Sequence, residues 1–282
     1  MSTENIAVVP LPEKTAEQKY LDSLLDKSST VPPPSVVMQF KEPDGTQSAY
    51  RRVMTLGNLS VIQGKSKAGK TFLLRLMLPA LIERRLHLDK FVGNNEVLQH
   101  KQGIIFADTE QGEYDAYQTM ISICNKCTHS QNFGYSMTRK HTPAERIDII
   151  QAALDMGAGQ YGVIFIDGIA DLTTAYNDEE KASKLVQQLM TWTEVYNCHI
   201  CNVVHENKAK ENTDATGWLG KILYQKAETV ISVESTNEIN VKKVSSKLQR
   251  GTRQFEPFYF SINDGDAFIY EKGQYGKLEN IY

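Results

Sequence analysis

Long hydrophobic runs are missing from this chain of 282 residues. No stretch approaches the roughly 20 apolar residues that a bilayer-spanning helix needs. The first residues, Met1-Ser2-Thr3-Glu4-Asn5, lack the charged-then-apolar order of a secretory signal. The expectation is a soluble, cytoplasmic protein with no membrane partner. A strong charge of either sign is missing too: 31 Lys+Arg against 34 Asp+Glu leave a formal net charge of −3. That excludes coating nucleic acid with the whole surface, so any DNA or RNA contact must come from a local basic strip or a site assembled between subunits. Internal repeats and low-complexity tracts are absent, which excludes a repeat architecture.

Cysteine is scarce, at four residues. Cys124-Asn125-Lys126-Cys127 and Cys198-His199-Ile200-Cys201 are two C-x-x-C pairs with His129 close by, a spacing that suggests zinc. The second pair enters a predicted strand, where positions three apart face opposite sides. The first lies on or near a helix end. The cysteines therefore read as thiols in a reducing compartment rather than as zinc knuckles.

What is present is a phosphate-binding loop. Gly64-Lys65-Ser66-Lys67-Ala68-Gly69-Lys70-Thr71 follows an apolar strand pattern, Leu59-Ser60-Val61-Ile62-Gln63, and precedes the apolar helix pattern that begins at Phe72. A strand, a Gly-bounded turn and a helix N-terminus aim backbone N–H groups and the positive end of a helix dipole at one spot. The glycines allow close approach of a phosphate, Lys70 supplies a point charge for the β/γ-phosphates, and the Thr71 hydroxyl suits Mg²⁺. The expected ligands are ATP and Mg²⁺.

The 41% hydrophobic content suits one sizeable core with a small appendage. Residues 1–34 read as an arm: a short amphipathic helix over 15–26 carrying Tyr20, Leu21, Leu24 and Leu25, then an extended linker through Pro32-Pro33-Pro34. Residues 35–282 read as one domain. It opens with a hairpin over 36–52 around Asp44-Gly45. From Leu59 to about Val233, strands alternate with helices, which predicts a parallel sheet with crossover helices. Capping boxes mark helix starts at Thr142-Pro143-Ala144-Glu145 and at Asn177 with Glu180. Trp192, at the middle of the 178–196 helix, reads as core. Hairpins follow, with strands near 239–244 and 255–262 and a turn at Asp264-Gly265.

Three further strand ends carry chemistry. Gly103-Ile104-Ile105-Phe106-Ala107-Asp108-Thr109-Glu110 ends in a carboxylate able to accept a proton from, or orient, an attacking water; the alternative is a polar residue opening a loop. Tyr161-Gly162-Val163-Ile164-Phe165-Ile166-Asp167 is a Walker B pattern, whose carboxylate holds Mg²⁺ through water or Thr71; plain core strands also end this way. His199-Ile200-Cys201-Asn202-Val203-Val204-His205 ends in a histidine that is either a γ-phosphate sensor or a locally paired side chain.

In that order, these signals resemble the RecA/DnaB ATPase core over roughly residues 56–260. Gly57-Asn58-Leu59-Ser60 and His205 look most like plasmid RepA-type hexameric helicases and their relatives on mobile elements. The resemblance implies a RecA-like α/β P-loop NTPase fold: a mostly parallel sheet flanked by helices, with C-terminal β-hairpins. It implies Glu110 as catalytic base, Asp167 as Mg²⁺ ligand and His205 as phosphate sensor. It also implies a homo-oligomeric ring or filament, possibly hexameric, with ATP at subunit interfaces. Basic residues would reach the neighbour's γ-phosphate, here Lys247 or Arg250, unless Lys247 to Arg253 form only a solvated turn. Single-stranded DNA would be met by loops at 172–181, with Tyr176 for stacking, and 206–216, with Lys208 and Lys210. Asp178, Glu179, Glu180, Glu206 and Glu211 in the same stretches oppose that role. The large primase-engaging domain of DnaB-type helicases and the DNA-gathering domain of RecA have no counterpart, so the chain reads as a bare motor or loader. An ATP-controlled switch or adaptor without unwinding is the alternative, and a recombinase filament the weaker third.

Overall fold

The computed structural model describes residues 14–42, 49–157, 159–206 and 217–270. The chain divides into two units, residues 1–33 and 34–282. In the first, Thr15 caps helix α1 (Ala16–Ser23). Its hydroxyl accepts from the Gln18 N–H while the Gln18 side chain accepts from the Thr15 N–H, satisfying two donors that helix geometry leaves open. The helix stops at Ser23, short of the expected Asp26, with Leu24 already extended. Tyr20, Leu21, Leu24 and Leu25 are exposed.

The second unit opens with strands β1 (Val36–Glu42) and β2 (Ala49–Thr55), an antiparallel pair as expected. The Asp44-Gly45 turn lies outside the described residues. β3 (Leu59–Gly64) leads into helix α2 (Lys70–Glu83). Two short strands then follow, β4 (Leu86–His87) and β5 (Phe91–Gly93), and a one-turn helix α3 (Asn95–Leu98). β4 and β5 widen the hairpin into a sheet of order β2-β1-β5-β4.

The alternating region continues with β6 (Gly103–Asp108), α4 (Glu113–Cys124), β7 (Phe133–Met137) and α5 (Pro143–Met156). After these come β8 (Tyr161–Asp167), α6 (Glu179–Val195), β9 (His199–His205) and α7 (Gly217–Lys226). The chain then adds β10 (Thr229–Ser235), β11 (Val241–Gln249), β12 (Phe258–Asn263) and β13 (Asp266–Tyr270). The main sheet runs β13-β12-β11-β10-β3-β9-β8-β6-β7. From β10 to β7 it is parallel, and β11 to β13 extend it antiparallel. The inner strands β6 and β8 read as nearly continuous apolar runs because both their faces are covered. One face packs on α2 and the smaller sheet, with Phe40, Phe91, Phe255 and Phe258 meeting edge-on or tilted where the two sheets join. The other packs on α5, α6 and α7.

Thr142 and Glu145 form the predicted capping box with Pro143 at the first helical turn. At α6 the cap is Asp178, whose carboxylate accepts from the Lys181 N–H, rather than the expected Asn177. Two adjacent residues can each cap a helix, and the one whose acceptor reaches the third N–H sets the start. Trp192 is buried in the core. Cys198 packs on one face of the sheet and Cys201 on the other, as the alternation of a strand requires.

A polar cluster is sealed at the N-terminal end of the parallel strands. His199 is fully buried; Nδ1 lies 2.8 Å from the Thr55 carbonyl and Nε2 2.8 Å from Ser60 Oγ. A carbonyl can only accept, so Nδ1 carries a proton. Burial pulls its pKa down to about 4. Glu228, 3.6 Å away, accepts from the N–H and hydroxyl of Thr55, yet burial pushes its pKa up to about 7. The spacing is that of an ion pair, but desolvation of both groups favours two neutral partners.

Candidate nucleotide site

β3 delivers the chain to Gly64, and residues 64–71 turn over the C-terminal edge of the sheet into α2. Two glycines make this possible. A Cβ on Gly64 would lie 2.4 Å from the Val233 carbonyl oxygen, so β10 can run this close only beside glycine. Gly69 holds φ +97°, a conformation that side chains with a Cβ rarely adopt. Lys65, Ser66 and Lys67 are exposed on the loop, whereas Ala68 and Lys70 are buried. Thus the loop amides and the positive end of α2 converge where an anion would sit.

Lys70 Nζ donates to the carbonyls of Gly64 (3.0 Å) and Lys65 (3.2 Å) and lies 3.1 Å from His205 Nδ1. Burial draws its pKa down, opposed by Asp167, Glu110 and Glu206. An ammonium only donates, so His205 Nδ1 accepts, and Nε2 carries the proton toward Glu110 Oε1 at 3.1 Å. That hydrogen bond, assisted by the charge of Lys70, holds the Glu110 carboxyl below its ordinary range despite burial. Glu110 is a carboxylate at neutral pH.

Asp167 closes β8, and its Oδ2 accepts from Thr71 Oγ1 at 2.8 Å. Burial pushes its pKa up to about 7, with Glu110 and Asp108 adding to the rise while Thr71 and Lys70 oppose it. Hydroxyl and carboxylate together are the hard oxygen donors that suit Mg²⁺, and a buried carboxylate raised this far gains from a cation beside it. The residues present fit the ion.

One arrangement escapes the sequence reading. Asp108 is fully buried and frames the turn that carries Glu110. Its Oδ1 accepts from the N–H groups of Glu110 (3.0 Å) and Gln111 (2.9 Å), and its Oδ2 from the Gln111 side chain (2.7 Å) and the Tyr135 hydroxyl. The available signal was an Asp two residues before a Glu at a strand end, where Asp bonds the backbone just ahead of it.

Lys70, Thr71, Glu110, Asp167 and His205 thus meet at the C-terminal ends of four parallel strands. Lys247 and Arg250 do not join them. Thr229 pairs with Gln249 and Ser235 with Lys242, so the basic turn lies at the start of β10 and the phosphate loop near its end. Arg250 is held by its own subunit: its guanidinium donates to the Gln225 carbonyl (2.8 Å), its N–H to the Glu228 carbonyl (2.7 Å), and its carbonyl accepts from Arg52 (2.9 Å). Of the two candidate strand-binding loops, 172–181 is described and exposes Tyr176, whose carbonyl accepts from the Leu219 N–H at 3.0 Å. In the second, Lys208, Lys210 and Glu211 lie outside the described residues, and Glu206 is buried against Gln63.

Residues 27–211 match the AAA domain family, about two thirds of the chain. Among solved structures, the crystal structure of the RadB recombinase superposes with a TM-score of 0.53 at 14% identity, covering 77% of this chain and 93% of that one. At this identity the likeness speaks for the fold alone. No curated protein sequence matches. The chain's mostly parallel sheet flanked by helices, with antiparallel strands added toward the C-terminus, is a RecA-like fold. Proteins of this kind generally use ATP and Mg²⁺. With the phosphate loop and its surrounding strand ends inside the matched region, the chain belongs to the AAA domain family, as a RecA-like P-loop ATPase.

Proposed function

We propose that this ATPase works as a Mg²⁺-dependent oligomeric motor or loader on single-stranded DNA, in the replication or transfer of a mobile element. The observation that carries the reading is the convergence of Lys70, Thr71, Asp167, Glu110 and His205 on one edge of the sheet. Residues 64–71 cradle the triphosphate and Lys70 shifts its donors from loop carbonyls to the β/γ-phosphates. Thr71 and Asp167 would hold Mg²⁺, whose charge would offset that of the phosphates. Glu110, ionised and fixed by the Asp108 turn, orients the attacking water and takes its proton. His205 stands between Lys70 and Glu110, so loss of the γ-phosphate changes both of its hydrogen bonds. Lys247 or Arg250 completes the site of a neighbouring copy in a ring, hexameric in the family it resembles. The arm of residues 1–34 is a separate domain from 35–282.

Asp178, Glu179 and Glu180 are exposed, beginning two residues after Tyr176. That acidic face favours the second reading, an ATP-controlled switch that unwinds nothing. Steady-state ATP hydrolysis with and without single-stranded DNA separates the two. The motor is stimulated and the switch is not. Lys70→Ala abolishes tight ATP binding, whereas Glu110→Gln binds ATP and does not turn it over. Wild-type turnover by Glu110→Gln would remove Glu110 as the base.

A further inference from the structure

The phosphate loop is walled on one side by β11 and β12. A Cβ on Gly69 would lie 3.3 Å from each of Lys242 Cγ, Phe260 Cζ and Ile262 Cδ1. The stem of Lys242 therefore lies against the glycine that opens α2. Its ammonium is 3.1 Å from Ser235 Oγ, at the end of β10. Ser235 is two residues beyond Val233, whose carbonyl flanks Gly64. Lys242 is thus anchored at the rim of the loop by strand pairing, not carried there by a flexible segment.

Gly69, which the stem of Lys242 touches, is the N-cap of α2, at the positive end of the helix dipole. The loop it closes also carries Lys65, Lys67 and Lys70. The carboxylates that act on Lys70 are Asp167, Glu110 and Glu206. Lys242 itself forms no ion pair among the described residues, and its hydrogen bond is to a neutral hydroxyl. A polyanion in the loop would offer that ammonium an opposite charge.

We propose that Lys242 is a nucleotide-binding residue, giving the polyphosphate of a bound nucleoside di- or triphosphate a second lysine contact from within the same subunit. This rests on the phosphate-loop reading. It differs from the contact assigned to Lys247 or Arg250, which comes from another copy at the far end of the sheet.

Equilibrium titration of the full chain with ADP, ATP and inorganic tripolyphosphate tests it. Lys242→Met keeps the stem on Gly69 and removes the charge. Affinity should fall about tenfold for all three probes, as for loss of one charge-assisted contact. The deficit should narrow as salt is raised, Lys242→Arg should recover most of the affinity, and thermal unfolding without nucleotide should match the parent. Parental affinity in Lys242→Met alongside lost binding in Lys70→Ala overturns the proposal and leaves the loop reading standing. Parental affinity in both variants removes the loop reading itself. An equal loss in Lys242→Arg and Lys242→Met, independent of salt, would mean that packing rather than charge is at work, and also overturns it.

Discussion

Replacing Glu228 with Gln should convert a pH-insensitive contribution to stability into a pH-dependent one. His199 falls from an ordinary 6.5 to about 4 in the folded chain. Its contribution to stability is fully present above 6.5 and is lost as pH falls toward 4. Glu228 rises from 4.5 to about 7, so its contribution is fully present below 4.5 and is lost as pH rises through 7. Between pH 4.5 and 6.5 the folded pair holds one proton, on Glu228, and the unfolded pair also holds one, on His199. Equal proton counts mean zero slope. Remove Glu228 and only the histidine remains, with a slope of about 1.4 kcal/mol per pH unit, or about 2.7 kcal/mol across the window. Glu228→Gln should therefore lose stability relative to the parent as pH falls from 6.5 to 4.5. His199→Gln should lose it by a similar amount as pH rises over the same range. Urea unfolding of the parent and both variants at half-unit pH steps measures this, and every other titrating group cancels in the comparison. If both variants run parallel to the parent, the pair is ionised inside the fold and the argument from burial fails.

Two further outcomes follow from the site. Gly64→Ala places a methyl group 2.4 Å from the Val233 carbonyl oxygen; chemical denaturation should show a loss of about 1–3 kcal/mol, together with weaker ATP binding. Mixing Arg250→Ala with Glu110→Gln subunits, each inactive alone, should restore part of the ATPase activity, since some interfaces would join an intact Glu110 to an intact Arg250. A basic finger is worth on the order of 10³–10⁵ in rate elsewhere. No recovery in mixtures that co-assemble would confine the active site to one chain.

The parallel core was legible because burial on both faces writes itself as continuous apolar runs, as in Val163-Ile164-Phe165-Ile166. The phosphate loop was legible because its geometry restricts residue type at fixed spacing. β4, β5 and β7 were not. Leu86–His87 and Phe91–Gly93 are too short to show a period, and Phe133–Met137 is a half-exposed edge strand containing a glycine. Lys242 escaped notice for another reason. The registers of antiparallel strands depend on turn length and on the irregularity between Val230 and Ile231, neither of which residue types reveal. The arm helix was overextended because Leu24 and Leu25 continue its apolar pattern although the backbone has already left it.

The placement of the basic turn and the phosphate loop at opposite ends of β10 bears on symmetry. That strand has seven residues, so the two ends are about 20 Å apart. If one copy's basic turn completes another's phosphate site, the geometry of the junction decides the assembly. Where both ends of β10 lie on one face, a two-fold axis brings each turn to the other copy's loop, and a pair fills both sites at once. Where they lie on different faces, each copy keeps one unused half-site for the next. Growth then ends only when rotation brings the last copy back to the first, as a cycle, or continues as an open helix.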